Sequence, residues 1–103
     1  MALSLNSPQV DIRRESAALQ ELGYSVDRTY AERDPARHRT FRRKLEATFL
    51  RSQTPDSTFY AKANPKELFA DGFRLYHQER AALRTANPAL YELVKEAVEA
   101  MQS

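Results

Sequence analysis

Two carboxylates four residues apart, Glu67 and Asp71, have the residue types and the spacing of a pair that could bind a metal ion. They follow Asn64-Pro65, where we expect a helix to begin, because an Asn cap accepts a hydrogen bond from a free N–H and proline fits the first helical position. Side chains four apart share one helix face. In a zinc hydrolase the first carboxylate of such a pair binds the metal and the second, here Asp71, orients a ligand from the outer shell. The alternative is a solvated helix face.

The wider segment from Asn64 to Tyr76, followed by residues 86–91, resembles the closing segment of the anthrax lethal-factor-like zinc metalloproteases. In that family a glutamate near the start of this helix is the third zinc ligand, and the resemblance assigns that position to Glu67. A tyrosine slightly upstream stabilises the tetrahedral intermediate in the family, and Tyr60 matches it in position. The alternative for Tyr60 is a loop tyrosine that packs on the core.

The family also carries His-Glu-x-x-His on an earlier helix, where two imidazoles bind zinc and the glutamate activates water. Residues 20–27 are similar to its pattern His-Glu-Leu-Gly-His-Ala-Leu-Asp, with Glu21 at the position of the base. Gln20 and Tyr24 occupy the two histidine positions. A glutamine carbonyl is a poor zinc donor, and a phenol must first lose a proton that leaves only at about pH 10. We therefore expect that the ancestral zinc has been lost and that no cofactor is bound.

No other residue type replaces the missing ligands. Cysteine is absent, which excludes thiolate ligands and disulfides. His77 follows Glu67 by ten positions, which is roughly 15 Å along a helix and too far to share one ion. His38 lies among arginines, which would repel a cation. We predict that both histidines are ordinary surface or packing residues.

The resemblance covers residues 16–98 and implies a remnant of the zinc-site helical half of such a protease. The substrate-lining sheet of these enzymes has no counterpart in the short stretch before Ser16. We therefore expect a catalytically inactive, metalloprotease-like binding or accessory module with a protein partner. The resemblance implies a bacterial toxin or effector setting. A residual zinc hydrolase that uses Glu21, Glu67 and an unidentified ligand is the weaker alternative.

The basic residues allow a different interpretation. The formal net charge is only +2, yet residues 28–44 contain seven basic residues and only two acidic ones, Glu32 and Asp34. Such a patch on a helix predicts weak, salt-sensitive contact with nucleic-acid phosphates. The alternative is a solvated face that the acidic last helix balances. The patch consists of Arg28, Arg33, Arg37, Arg39, Arg42, Arg43 and Lys44.

The elements that must position these residues are helices. Four prolines follow Ser, Asp or Asn, which predicts helix starts at Pro8, Pro35, Pro65 and Pro88. Apolar residues recur at helical spacing in each segment. These stripes are Leu19, Leu22, Val26 and Tyr30; Phe41, Leu45 and Phe49; Phe69, Phe73 and Tyr76; and Leu90, Val94, Val98 and Met101.

The sequence thus predicts one all-α domain of about four helices over residues 1–103. We expect a flexible N-terminus at residues 1–7, a long connection from Ser52 to Ala63 and a short turn from Arg84 to Asn87. The chain has no secretory signal and no apolar run of the roughly 20 residues that cross a bilayer. We therefore expect a cytoplasmic protein or one secreted by a leaderless route, with no membrane partner.

Overall fold

The computed structural model describes residues 8–54, 62 and 64–102, with side chains from residue 13 onward. The all-α prediction is confirmed, since the described residues form helices and no strand. The predicted flexible N-terminus lies outside the described residues, as does most of the predicted long connection. The helices are α1 (Pro8–Arg33), α2 (Pro35–Arg51), α3 (Pro65–Gln78), α4 (Arg80–Ala86) and α5 (Pro88–Gln102).

The predicted helix starts are confirmed at all four prolines. Asp34 caps α2 by accepting a hydrogen bond from the backbone N–H of Arg37 at 3.2 Å, and Asn64 caps α3 through the N–H of Glu67 at 2.8 Å. Asn87 does the same for α5, accepting from the N–H of Leu90 at 3.1 Å. Each cap satisfies a donor that the first helical turn leaves free.

A short fifth helix occupies the segment that we predicted to turn. Residues 84–86 belong to α4, and the chain departs from helix at Glu79 and again at Asn87. The prediction was wrong because Asn87-Pro88 fixes where α5 begins but not where the preceding helix ends. No proline or glycine interrupts residues 80–86, and Leu83 buries its side chain in the core.

Three of the four apolar stripes face the core as predicted. The rings of Phe41, Phe69 and Phe73 pack edge-on or tilted against one another near the centre. The stripe of α1 needs one correction, since Leu22 is 50% exposed. Its place on the buried face is taken by Gly23.

Helix α1 packs more extensively against α3 than any other two helices pack together. A Cβ atom on Gly23 would lie 3.0 Å from Ala70 Cα and 3.0 Å from Phe73 Cβ, so the two backbones approach closely at the glycine. Helices α1 and α3 are thus in direct contact at this point. Gly23 explains which face of α1 points toward α3. The smallest residue permits the closest approach of the two backbones, and with Gly23 at the contact the neighbouring Leu22 faces solvent.

Candidate functional site

The positions that resemble zinc ligands lie where α1 crosses α3. Gln20 Nε2 donates to Asp71 Oδ1 at 3.4 Å. One turn further along α1, Tyr24 lies close enough to Glu67 to be affected by its charge. Because the pairs run in opposite order along the two helices, α1 and α3 are antiparallel. The structure therefore brings these four predicted site residues to one interface.

Two cationic side chains contact the carboxylate of Asp71. Its side chain is 9% exposed, and its Oδ1 accepts from Arg74 Nη2 at 2.9 Å and from Arg74 Nε at 3.1 Å. Lys62 Nζ lies 3.4 Å from Oδ2. Both carboxylate oxygens thus contact cationic donors at the helix interface.

The network continues from Arg74 toward the start of α1. Arg74 Nη1 donates to Gln78 Oε1 at 3.1 Å, and the Gln78 amide lies within 3.1 Å of Ser16 Oγ. Arg74 was not among the residues predicted from the sequence, although its spacing of three residues from Asp71 is a helical ion-pair signal. Lys62 and Ser16 carried no comparable local signal.

Tyr24 is a partly exposed phenol beside a carboxylate. The residue is 42% exposed. Burial, and to a lesser extent the charge of Glu67, raise the pKa of Tyr24 above its ordinary value. The phenol therefore remains protonated at neutral pH and can donate a hydrogen bond.

Two further predicted residues are not part of this cluster. Glu21 is exposed on α1. Tyr60 lies outside the described residues. The structure thus assigns neither the role of the base nor that of the oxyanion donor.

The two histidines occupy different surroundings. His38 is buried, with Nε2 2.8 Å from Asp27 Oδ1 and its ring edge-on to Tyr30 at 5.4 Å between centroids. This pairing joins residues 11 apart across two helices and was not predicted from the sequence, where Asp27 is only a match to the resembled pattern. His77 is exposed, with its ring centroid 4.6 Å from that of Phe73.

The donors at the crossing do not fit a zinc site. Gln20 directs its amide nitrogen at Asp71, Tyr24 keeps its proton, and Glu67 is the carboxylate beside Tyr24. Zinc takes imidazole, thiolate or carboxylate donors, usually four including water. Within the described part of the chain, no group of three or more histidine, aspartate and glutamate side chains is arranged to hold a metal ion.

The predicted basic patch is divided between two flanks of α1 and α2. Arg33 and Arg37 line a recess beside Tyr30, and Arg33 Nη1 donates to the Met101 carbonyl at 3.2 Å. Lys44 lines the groove between α2 and α5. That groove is lined by three α5 acids, Glu92, Glu96 and Glu99.

The other flank points toward α3. Arg28 and Arg42 line a separate pocket there together with Lys66. Arg39 and Arg43 are exposed on α2 and line none of these recesses. Arg28 and Arg42 thus line a different recess from Arg33 and Arg37.

Among the described residues, no helix is long and apolar enough to cross a bilayer. Comparison with known protein families, with curated proteins and with solved structures finds no match to this chain.

Proposed function

We propose that the chain is a catalytically inactive, metalloprotease-like binding module. The observation that carries the proposal is the α1–α3 crossing, where the positions similar to a zinc-protease site hold Gln20, Tyr24 and Glu67. Gln20 donates a hydrogen bond to Asp71, and Tyr24 keeps its proton. Such a donor set suits helix packing and surface recognition better than metal-dependent hydrolysis.

Apolar packing gives the helix pair a source of stability that needs no metal. Phe69, Phe73 and Tyr76 are buried on α3, and Leu19 and Val26 of α1 pack against the core that they form. Each large apolar side chain contributes roughly 1.5–3 kcal/mol when fully buried. A protease fold can therefore keep its helices after its ligands are gone, and the retained surface can serve a protein partner in a bacterial toxin or effector system.

Zinc titration of the purified protein tests this proposal. We expect calorimetry to show no stoichiometric binding and a peptide library to remain uncut in the presence of zinc. The matched control is Glu67→Gln, which removes the remaining ligand-type carboxylate and should behave like the parent. One zinc bound per parent chain, lost in Glu67→Gln, would establish a metal site and contradict the proposal.

Nucleic-acid binding, the second candidate, has less support. Lys44 shares a groove with the acids of α5, and Arg33 and Arg37 lie on a different flank from Arg28 and Arg42. A phosphate backbone needs cations that follow one path. The recesses that these cations line are separate, and the one beside α5 contains acids as well as bases.

A further inference from the structure

The flank of the molecule that faces α3 contains a pocket of about 310 Å³ with an unbalanced charge. Three helices each contribute one cation to it: Arg28 from α1, Arg42 from α2 and Lys66 from the first turn of α3. Asp27 is the one acidic residue in its lining, and its Oδ1 lies 2.8 Å from His38 Nε2. The pocket is therefore positive overall.

The cations of this pocket are short of partners. Within the described residues, Arg28 and Lys66 form no ion pair. Arg42 approaches the exposed Glu46 only to 3.9 Å, and its Nε is buried without a hydrogen-bond partner among those residues. A buried guanidinium N–H without an acceptor is costly, so such a group commonly indicates a bound water or ion.

We propose that this pocket binds a phosphate group carried by a small molecule. Two guanidinium groups and an ammonium provide charge-assisted donors, and the Tyr24 phenol, which also lines the pocket, can supply a neutral one. Phosphate has three terminal oxygens and suits such a set, because arginine forks bind phosphate in a bidentate manner. Glu67 does not line the pocket. The proposal stands on these charges and is independent of the proposed pseudoprotease function.

The test is an NMR titration of the whole chain with inorganic phosphate and with glycerol phosphate at about pH 7.5, where a phosphate monoester is mainly dianionic. The Arg42 Nε–H signal and the amides of Arg28 and Lys66 should shift together and saturate. Acetate at equal ionic strength should produce no saturable shift. Equal saturation by acetate would mean a general anion surface and would overturn the proposal.

Charge-neutral variants locate the site. Arg28→Gln and Lys66→Gln alter exposed side chains and should fold normally, and each should weaken phosphate binding by roughly tenfold, the effect of losing one charge-assisted hydrogen bond. Arg39→Gln and Arg43→Gln remove the same charge from exposed positions of α2 that do not line the pocket. These two controls should retain the parent affinity, and an equal loss in them would contradict a defined pocket.

A single-stranded DNA oligonucleotide distinguishes a phosphate pocket from a nucleic-acid surface. We expect it to bind no more tightly than glycerol phosphate at physiological salt. If it binds at least a hundredfold more tightly, and if Arg39→Gln weakens it as much as Arg28→Gln does, the cations serve a nucleic-acid interface. That result would overturn the small-molecule proposal.

Discussion

At the residue scale, Tyr30 connects α1 to α5 through a hydrogen bond from its hydroxyl to Glu96 Oε2 at 2.6 Å. The residue is fully buried. Burial first, and then the hydrogen bond and the charge of Glu96, raise the pKa of Tyr30 to about 12. In the unfolded chain a tyrosine titrates at about pH 10. Below that pH the phenol is protonated in both states, and the stabilisation is fully present.

Between pH 10 and 12 the unfolded chain loses this proton while the folded one keeps it, so stability should fall. We predict that Tyr30→Phe destabilises the protein by about 1–2 kcal/mol at neutral pH through loss of the hydrogen bond. The difference between parent and variant should then shrink by roughly 2 kcal/mol as the pH approaches 12. Urea unfolding across this range measures it. Tyr91→Phe is the control, and parallel pH curves for parent and Tyr30→Phe would contradict the assignment.

Asp71 allows a comparison between a buried and an exposed ion pair. Its side chain is 9% exposed and contacts Arg74 and Lys62, whereas the Glu46 side chain is 58% exposed and lies 3.9 Å from Arg42. We predict that Asp71→Ala costs about 3 kcal/mol, because two partly buried cations lose their counter-charge. Glu46→Ala should cost less than about 0.5 kcal/mol. Equal unfolding midpoints for the two variants would show that the Asp71 network contributes little.

At the element scale, Gly23 determines how α1 and α3 cross. Glycine in a helix interior is less favourable than alanine by about 1 kcal/mol, so Gly23→Ala would stabilise an isolated helix. Here the added methyl would meet the backbone of Ala70 and the Cβ of Phe73, each at 3.0 Å. Overpacking of this kind costs about 1–3 kcal/mol. We therefore predict a net loss of roughly 1 kcal/mol in chemical denaturation.

The control for this prediction lies on the same helix. Ala18→Gly changes an exposed position of α1 and should cost only the intrinsic difference of about 1 kcal/mol. Both substitutions should then destabilise, although they exchange the same two residues in opposite directions. A Gly23→Ala variant more stable than the parent would show that the helices can separate at little cost.

The elements themselves were predictable because their signals are local. An Asn or Asp before proline caps a helix wherever it occurs, so the helix starts at Pro35, Pro65 and Pro88 could be placed from sequence. The rotation of α1 could not. Leu22 and Gly23 are neighbours, and which of them faces α3 depends on how closely the partner backbone approaches.

The candidate site likewise has features that could be predicted from the sequence and features that could not. The spacing of Gln20 from Tyr24 and of Glu67 from Asp71 predicted that each pair shares a helix face. The contacts across the interface join residues far apart in the sequence, and no local pattern encodes them. Gln20 and Asp71 are 51 positions apart, and Ser16 and Gln78 are 62 positions apart.

At the scale of the whole molecule, charge is distributed by flank. Lys44 shares a groove with the acids of α5, whereas Arg28, Arg42 and Lys66 surround the pocket beside α3 with one acidic residue in its lining. The groove beside α5 thus combines charges of both signs, whereas the pocket beside α3 has more cations than acids. Anionic ligands are expected at the positive side, next to the position of Tyr24.

The ancestry suggested by the resemblance can be tested by restoring the missing ligands. Gln20→His with Tyr24→His places two imidazoles four residues apart on one face of α1. In the structure these positions face Asp71 and Glu67 across the helix crossing. We predict that the double variant binds zinc with a carboxylate of α3 as the third ligand, and that each single variant binds far more weakly because two ligands seldom hold the ion.

Calorimetry and thermal unfolding in increasing zinc measure this gain. Zinc that binds only the folded state at 100 times its dissociation constant should stabilise it by about 2.7 kcal/mol. Adding Glu67→Gln to the double variant separates the two possible carboxylates, and it should remove most of the zinc affinity, since Glu67 lies beside position 24 while Asp71 is engaged by Arg74 and Lys62. A folded double variant that binds zinc no better than the parent would mean that the three positions do not converge on one ion, and the resemblance would then fail at its centre. Zinc binding, and not proteolysis, is the expected gain, because the two substitutions change only the donors at the crossing.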